Sequence, residues 1–200
     1  MSPLARWHDR FVFQRRVRVL GTALADLLDD GARVLDIGCG DGFIDKQIGT
    51  ARPDLTISGI DVLLRPDTHI PVELFDGTTI PYDDASVDVV MFVDVLHHTD
   101  DPEVLLREAR RVARRAIVLK DHTRDGLLAG PTLRFMDWVG NAPHGVALPY
   151  NYWPERRWRE AFERLGLSPS TWRGALGLYP PPASWLFDRS LHFIARLVPA

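Results

Sequence analysis

Apolar positions along the chain follow two rhythms that alternate with one another. Near the start, Phe13, Val17, Leu20, Leu24 and Leu27 step by four and three. On a helical period that makes one stripe, so a helix is expected over residues 4–29, with Gly31 placed to end it. Arg15, Arg16 and Arg18 fall mostly off the stripe and read as a solvated face, the usual place for charge. The alternative is that Trp7, His8 or Arg15 lies over a ligand as a lid.

Short apolar runs then recur at 33–37, 55–60, 71–75, 87–95 and 116–120. Helical spacing fills the gaps at 43–50 and 101–114, where Asp101-Pro102-Glu103 has the acid-cap, proline-first form of a helix start. The run Val87 to Val95 is nearly continuous, as expected of a central parallel strand covered on both faces. Only Val62 to Ile70, with Pro66 in the middle, joins the second strand to the third. A helical crossover takes at least about 10–12 residues, so a short turn or single helical turn is expected there.

After residue 122 the alternation loosens. Gly130-Pro131 is expected to break a helical stretch that holds Leu133, Phe135, Met136, Trp138 and Val139. Asn141 to Trp153 is aromatic and turn-rich with no period, and a further helix starts at Pro154. Two last strands are expected at 170–176 and 191–197, separated by the stiff Tyr179-Pro180-Pro181-Pro182. Strands alternating with helices make a doubly wound α/β sheet, which binds ligands at the carboxyl ends of its strands.

Composition narrows this picture. A chain of 200 residues suits one well-buried domain better than two. Its parts are an N-terminal helix within 1–30 and an insertion at 123–153, a length more often functional than idle. A net charge of -3 gives no basic field for nucleic acid or an anionic membrane. No apolar run approaches the roughly 20 residues of a membrane span, and MSPLARWHDR places charge where a leader needs an apolar core. Cys39 has no second cysteine to pair with, which fits a reducing compartment. A cytoplasmic protein is expected, with no membrane insertion and no metal; nothing in the sequence sets an oligomeric state.

The chemistry gathers in RVLDIGCGDGFID, residues 33–45. An apolar strand, an acid at Asp36, glycines at Gly38, Gly40 and Gly42, and then a helix turn backbone N–H groups toward a ligand over the strand end. A pyrophosphate cradle uses G-x-G-x-x-G, and a nearby carboxylate repels a diphosphate while suiting a cation. That spacing disfavours a nicotinamide-dependent oxidoreductase. Asp61 stands 19 residues beyond Gly42, the offset at which a carboxylate reaches a ribose. Asp76-Gly77 can accept from an exocyclic amine while leaving room for a flat ring, Asp94 is expected at the fourth strand's carboxyl edge facing the cleft, and Asp121 lies at the end of the fifth strand.

These motifs resemble class I S-adenosylmethionine-dependent methyltransferases, of the small single-domain type related to quinone-biosynthesis enzymes. VLDIGCGDG (34–42), GID (59–61), FDG (75–77), IPYDDASVDVVMFVDVLHHTDDP (80–102) and IVLKD (117–121) carry the likeness. The resemblance implies a Rossmann-like seven-stranded sheet in the order 3-2-1-4-5-7-6 with the last strand antiparallel. It implies that Asp36, Gly38 and Gly40 lie along the methionine part of S-adenosylmethionine and that Asp61 takes the ribose hydroxyls. Val62 would then pack on adenine, Asp76 and Gly77 hold its edge, and Val93 and Asp94 close the site. The short Asp61-to-Pro71 link departs from the family's longer helix.

Methyl transfer to a small-molecule acceptor, with S-adenosylhomocysteine as product, is the activity implied; a non-catalytic binding subunit of the same fold is the alternative. A base is needed only where the acceptor must lose a proton, and histidine titrates in the right range. His122 and His144 are the candidates, with Asp121 comparable; His97 and His98 read as helix-start packing. Trp138, Tyr150, Tyr152 and Trp153 either wall an acceptor pocket or belong to the core.

Overall fold

A computed structural model of the chain describes residues 14–141 and 149–200. The elements are α1 (Gln14–Ala25), β1 (Arg33–Ile37), α2 (Phe43–Ala51), β2 (Thr56–Asp61), β3 (Val72–Leu74) and β4 (Val87–Val93). A 3₁₀ turn, Leu96–His98, leads to α3 (Pro102–Val112) and β5 (Ala113–His122). Then come α4 (Ala129–Asn141), α5 (Glu155–Arg164), β6 (Leu167–Arg173), α6 (Ser184–Phe187) and β7 (His192–Pro199). One sheet holds all seven strands in the order β3-β2-β1-β4-β5-β7-β6. β1 to β5 are parallel, and β7 runs antiparallel between β5 and β6, as the resemblance implies.

The middle strands are apolar throughout because helices cover both faces. Val34, Val89, Met91, Val118 and Ile194 point to the side packed with Leu20 and Leu24 of α1 and Ile48 of α2. Leu35, Ile37, Val90, Phe92, Ile117, Leu119 and Phe193 point to the other side, with Leu105, Leu106 and Ala109 of α3 and Trp158 and Phe162 of α5. Side chains alternate along a strand, so Asp36 shares its face with Val34 and looks toward α1 and α2. That parity decides where the cleft opens.

The sequence expectations hold in kind and move in detail. No helix forms between β2 and β3. Asp101 caps α3, its side chain accepting from the Glu103 N–H at 3.0 Å. β5 runs from Ala113 rather than Ala116, since the exposed Arg114 and Arg115 hide the start of a strand that pairs on both sides. β6 begins at Leu167, straight after Gly166 at φ +64°, so the turn takes no further residues. Pro131 begins α4 instead of breaking it, because N–H groups of a first helical turn have no intrahelical partner to lose. Among the described residues no helix is long and apolar enough to cross a membrane.

Phe92 is fully buried at the centre of β4. Phe92→Ala is expected to cost about 3–5 kcal/mol, the range for a truncated core aromatic. Urea unfolding followed by circular dichroism would show it as a lowered midpoint with an unchanged slope.

Candidate active site

The glycine loop is held down by the tip of β2. Gly38 and Cys39 both donate to the Ile60 carbonyl, at 2.7 and 3.4 Å, and Gly40 N–H donates to Asp61 Oδ2 at 2.8 Å. Gly38 has φ +73°, and a Cβ there would lie 2.7 Å from Val95, so no other residue fits. Gly40, at φ +61°, has nothing within 4 Å of its virtual Cβ and faces open space. The loop thus packs on one side and leaves room on the other.

Beside it is a cavity of about 190 Å³ lined by Asp36, Gly38, Cys39, Asp45 and Val93, with Arg16, Val17 and Leu20 of α1 across it. Asp36 and Asp45 are both buried, and the Oδ1 of each takes no hydrogen bond among the described residues. Burial and then the neighbouring Asp45 push the Asp36 carboxyl well above its usual range, and Asp36 donates a hydrogen bond to its neighbour. Burial likewise pushes Asp45 up to about 6. Two buried carboxyls with unused oxygens fit a cationic guest and would repel an anionic one. Burial pushes the Cys39 thiol up and disfavours its thiolate, the form that acts as a nucleophile.

Asp61 lies just outside that cavity. Its second oxygen accepts from the Leu63 N–H at 2.9 Å. A carboxylate has about four acceptor positions, so capacity remains for ribose hydroxyls. Val62, 59% exposed, follows it and packs against Gly77, whose virtual Cβ would lie 3.1 Å from a Val62 methyl. Asp76 uses Oδ1 to accept from the N–H groups of Thr78 and Thr79 at 2.7 and 2.6 Å and from the Thr78 hydroxyl at 3.0 Å, which holds its carboxyl below the usual range. The structure brings Asp61, Val62, Asp76 and Gly77 together at one end of the glycine loop, where Gly40 bonds Asp61, with Asp36, Gly38 and Val93 around the cavity.

Asp94 sits at the carboxyl end of β4, and at φ +59° its side chain meets Lys120 and Arg16, the latter a residue of the cavity wall. Burial works against ionising it, yet those two cations hold its carboxyl well below the usual range. Arg16 is therefore no solvated arginine, since a buried carboxylate next to α1 draws it inward. Arg15 bonds the Gly177 carbonyl at 3.1 Å rather than covering the cleft, and Trp7 and His8 lie outside the described residues.

A second polar group lies behind Asp94, where β4 and β5 end. His97 is buried, and its Nδ1 is 2.7 Å from Asp121 Oδ1. Asp121 also accepts from the Leu96 N–H at 3.0 Å and the His122 N–H at 2.7 Å, so its oxygens are committed to orienting these groups. His122 places Nδ1 3.1 Å from the Leu191 carbonyl and Nε2 3.2 Å from Asp94. Burial and Lys120 push His122 down to about 4, leaving it neutral at neutral pH. His97, His98, His122, His192 and Tyr152 form a continuous ring cluster with centroids 4.1–5.8 Å apart. His97 and His98 are thus part of this cluster rather than mere helix-start packing.

The aromatic candidates separate. Tyr152 is buried and donates to Asp137 Oδ2 at 2.8 Å, with Tyr150 beside it at a centroid distance of 6.4 Å. Trp153 belongs to the main core, against Trp158, whereas Trp138 is 58% exposed on α4. His144 lies outside the described residues. The sequence reading missed Asp45, Arg16, Lys120, Asp137 and His192. The Asp45 offset from Asp36 and the paired histidines were visible, but neither shows a partner until strands and helices are placed.

A family model described as a methyltransferase domain matches residues 6–170. The 27-O-demethylrifamycin SV methyltransferase of Amycolatopsis mediterranei is 35% identical over 97 residues, covering 42% of this chain and 35% of that protein. The 2-methyl-6-phytyl-1,4-hydroquinone methyltransferase of Synechocystis is 28% identical over 148 residues, covering 70% of this chain and 42% of that protein. The chain therefore spans less than half the length of these relatives. An S-adenosylmethionine-dependent methyltransferase from Mesorhizobium loti has the same fold, with a TM-score of 0.67 at 18% identity over 88% of this chain and 96% of that one. Fold, glycine loop and family model agree that the chain belongs to the S-adenosylmethionine-dependent methyltransferases.

Proposed function

We propose that the protein transfers a methyl group from S-adenosylmethionine to a small, lipophilic acceptor by direct in-line displacement. The observation that carries this reading is the cavity beside the glycine loop, lined by Gly38 and by Asp36 and Asp45, each with one oxygen unbonded among the described residues. When bound, the cofactor supplies a methyl group made electrophilic by a sulfonium. Asp36, Asp45, Gly38 and Gly40 hold its charged methionine end, Asp61 takes the ribose hydroxyls, Val62 lies against the adenine and Asp76 with Gly77 holds the ring edge. Val93 closes the cavity, and Asp94 holds Arg16 and Lys120 in place behind it.

Holding the reactants near attack distance supplies much of such a reaction, with effective molarities of about 10⁵–10⁸ M. His122 and Asp121 act as positioning residues: Asp121 fixes the His97 ring, and neutral His122 packs beside it. The insertion at 123–153 offers the acceptor side. Leu127, Leu128, Phe135, Trp138 and Val139 are exposed along and before α4, and Trp185 and Leu186 of α6 are exposed as well. Such a rim suits a lipophilic ring, in keeping with the rifamycin and hydroquinone acceptors named for the two relatives.

Calorimetry with S-adenosylmethionine, S-adenosylhomocysteine and NAD tests the reading. The first two are expected to bind below millimolar concentration and NAD not to bind; failure of the first two would overturn it. Asp61→Ala is expected to weaken S-adenosylmethionine roughly 10–100-fold, because hydrogen bonds to a charged group contribute about 1.5–3 kcal/mol. Unchanged affinity would place the ribose elsewhere.

The raised carboxyls give a pH dependence of definite sign. A guest cation favours ionised Asp45, whose carboxyl titrates at about 6. Its ionised fraction climbs from about a tenth at pH 5 to about nine tenths at pH 7, so affinity should rise roughly tenfold over that interval. Asp45→Asn should flatten the profile. Without ligand the sign is opposite: a carboxyl raised by folding favours the folded state at low pH, and that stability is lost as pH climbs through about 6.

A further inference from the structure

Two groups of three potential metal ligands occur at the carboxyl end of the sheet: Asp94, His97 and His122, and His97, His98 and Asp137. The first is already occupied in charge terms, since Lys120 and Arg16 both pair with Asp94. The second uses Asp137 in place of Asp94. His97 and His98 come from the 3₁₀ turn after β4, and Asp137 comes from α4. Asp137 Oδ1 is 3.8 Å from His97 Nε2 and 3.5 Å from His98 Nε2, and one ligand atom from each residue lies within 4.8 Å of the other two.

Those separations are close to what one small ion needs. With metal–ligand bonds of about 2.0–2.1 Å, neighbouring donors in a tetrahedron stand about 3.3 Å apart. The two measured edges exceed that by about half an ångström or less, within reach of small side-chain rotations.

The surroundings hold the donors in ligating form. His97 gives its Nδ1 to Asp121 at 2.7 Å, which directs Nε2 at Asp137. Asp121 is itself fixed by two backbone N–H groups. Asp137 Oδ2 accepts from the Tyr152 hydroxyl at 2.8 Å, leaving Oδ1 on the histidine side. A carboxylate behind the histidine and a hydroxyl on the far carboxylate oxygen are how metal sites orient their ligands. His98 Nδ1 is buried with no hydrogen-bond partner among the described residues, and Nε2 is the nitrogen that faces Asp137.

We infer that His97, His98 and Asp137 form a binding site for one borderline divalent cation, of the Zn²⁺, Co²⁺ or Ni²⁺ class, with a coordination position left open. The donor set selects the ion: two imidazoles and a carboxylate suit these ions, whereas Mg²⁺ and Ca²⁺ prefer oxygen alone. Three protein ligands leave a fourth position for water or a substrate oxygen. Charge favours occupation as well. Asp121 and Asp137 are two buried carboxylates on either side of the His97 ring, at 2.7 and 3.8 Å from its nitrogens, so a cation placed there meets negative charge.

The site lies one step beyond the cofactor cavity, linked to the Val93 wall through Asp94 and the His122–His97 ring contact at 4.8 Å. Given the methyl-transfer reading, on which this role alone rests, an acceptor hydroxyl at the open position would lose its proton to solvent more readily and become a better nucleophile.

Equilibrium dialysis of the full chain, stripped with EDTA and then exposed to Zn²⁺, Co²⁺ or Mg²⁺ with metal analysis, tests the inference. One equivalent of Zn²⁺ or Co²⁺ per chain is expected at micromolar concentration, and none of Mg²⁺. His98→Ala and Asp137→Asn should each weaken binding at least about tenfold, while Asp121→Asn, which only orients His97, should weaken it roughly 10–100-fold without removing it. His69→Ala, at an exposed histidine outside both clusters, should change nothing. Azide added to the Co²⁺ form should shift its visible absorption by taking the open position. Substoichiometric binding, binding untouched by both ligand variants, preference for Mg²⁺ or an azide-insensitive spectrum would each overturn the site as described. Circular dichroism and S-adenosylmethionine binding on the same variants separate misfolding from ligand loss. A chain that binds the cofactor but no metal refutes this inference alone; one that binds metal but no cofactor refutes the methyl-transfer reading.

Discussion

The Asp94 carboxylate, held between Lys120 and Arg16, is the constraint on which both polar regions depend. A parallel sheet covered on both faces has no place for charge except where its strands end. There a buried carboxylate must be matched by cations or become protonated. Lys120 comes from β5 and Arg16 from α1, so one ionic group ties the fourth strand, the fifth strand and the N-terminal helix together. Removing either cation would leave charge uncompensated in the interior, a far larger penalty than loss of a surface pair.

That arrangement separates two regions of different electrostatic character. On the α1–α2 side, the neighbouring carboxyls of Asp36 and Asp45 line a cavity, each with one oxygen unbonded among the described residues. Beyond Asp94, imidazoles and carboxylates alternate: Asp121, His97, Asp137 and His98. The first region suits a positively charged guest. The second stores protons or, on the inference above, a metal. Arg16, Lys120 and Asp94 stand between them and keep the carboxyls of one from becoming counter-ions of the other.

Backbone geometry serves the same division. The glycine loop is fastened to β2 through Ile60 and Asp61, so the acid proposed for the ribose also fixes the loop proposed for the methionine end. The exposed Val62, Leu63 and Leu64 extend from that acid in place of a helix, leaving an apolar shelf where the second crossover would otherwise stand. Shortening the link therefore leaves that flank of the glycine loop uncovered by a helix.

Much of this was legible in the residues themselves. Local patterns set the strands, because period-two and period-3.6 spacing depends only on neighbours in the chain. Alternate glycines after Asp36 determined a tight, cation-tolerant loop, and the offset to Asp61 determined where a second acid would stand. The ends of β5 and β6 were not legible, since Arg114 and Pro169 are tolerated through pairing that involves distant β7. Nor could the sequence show that Arg16 turns inward, that Asp45 meets Asp36, or that His97 and His98 face Asp137. Each depends on a partner between 9 and 78 residues away along the chain, and only the placing of helices over the sheet creates those pairs.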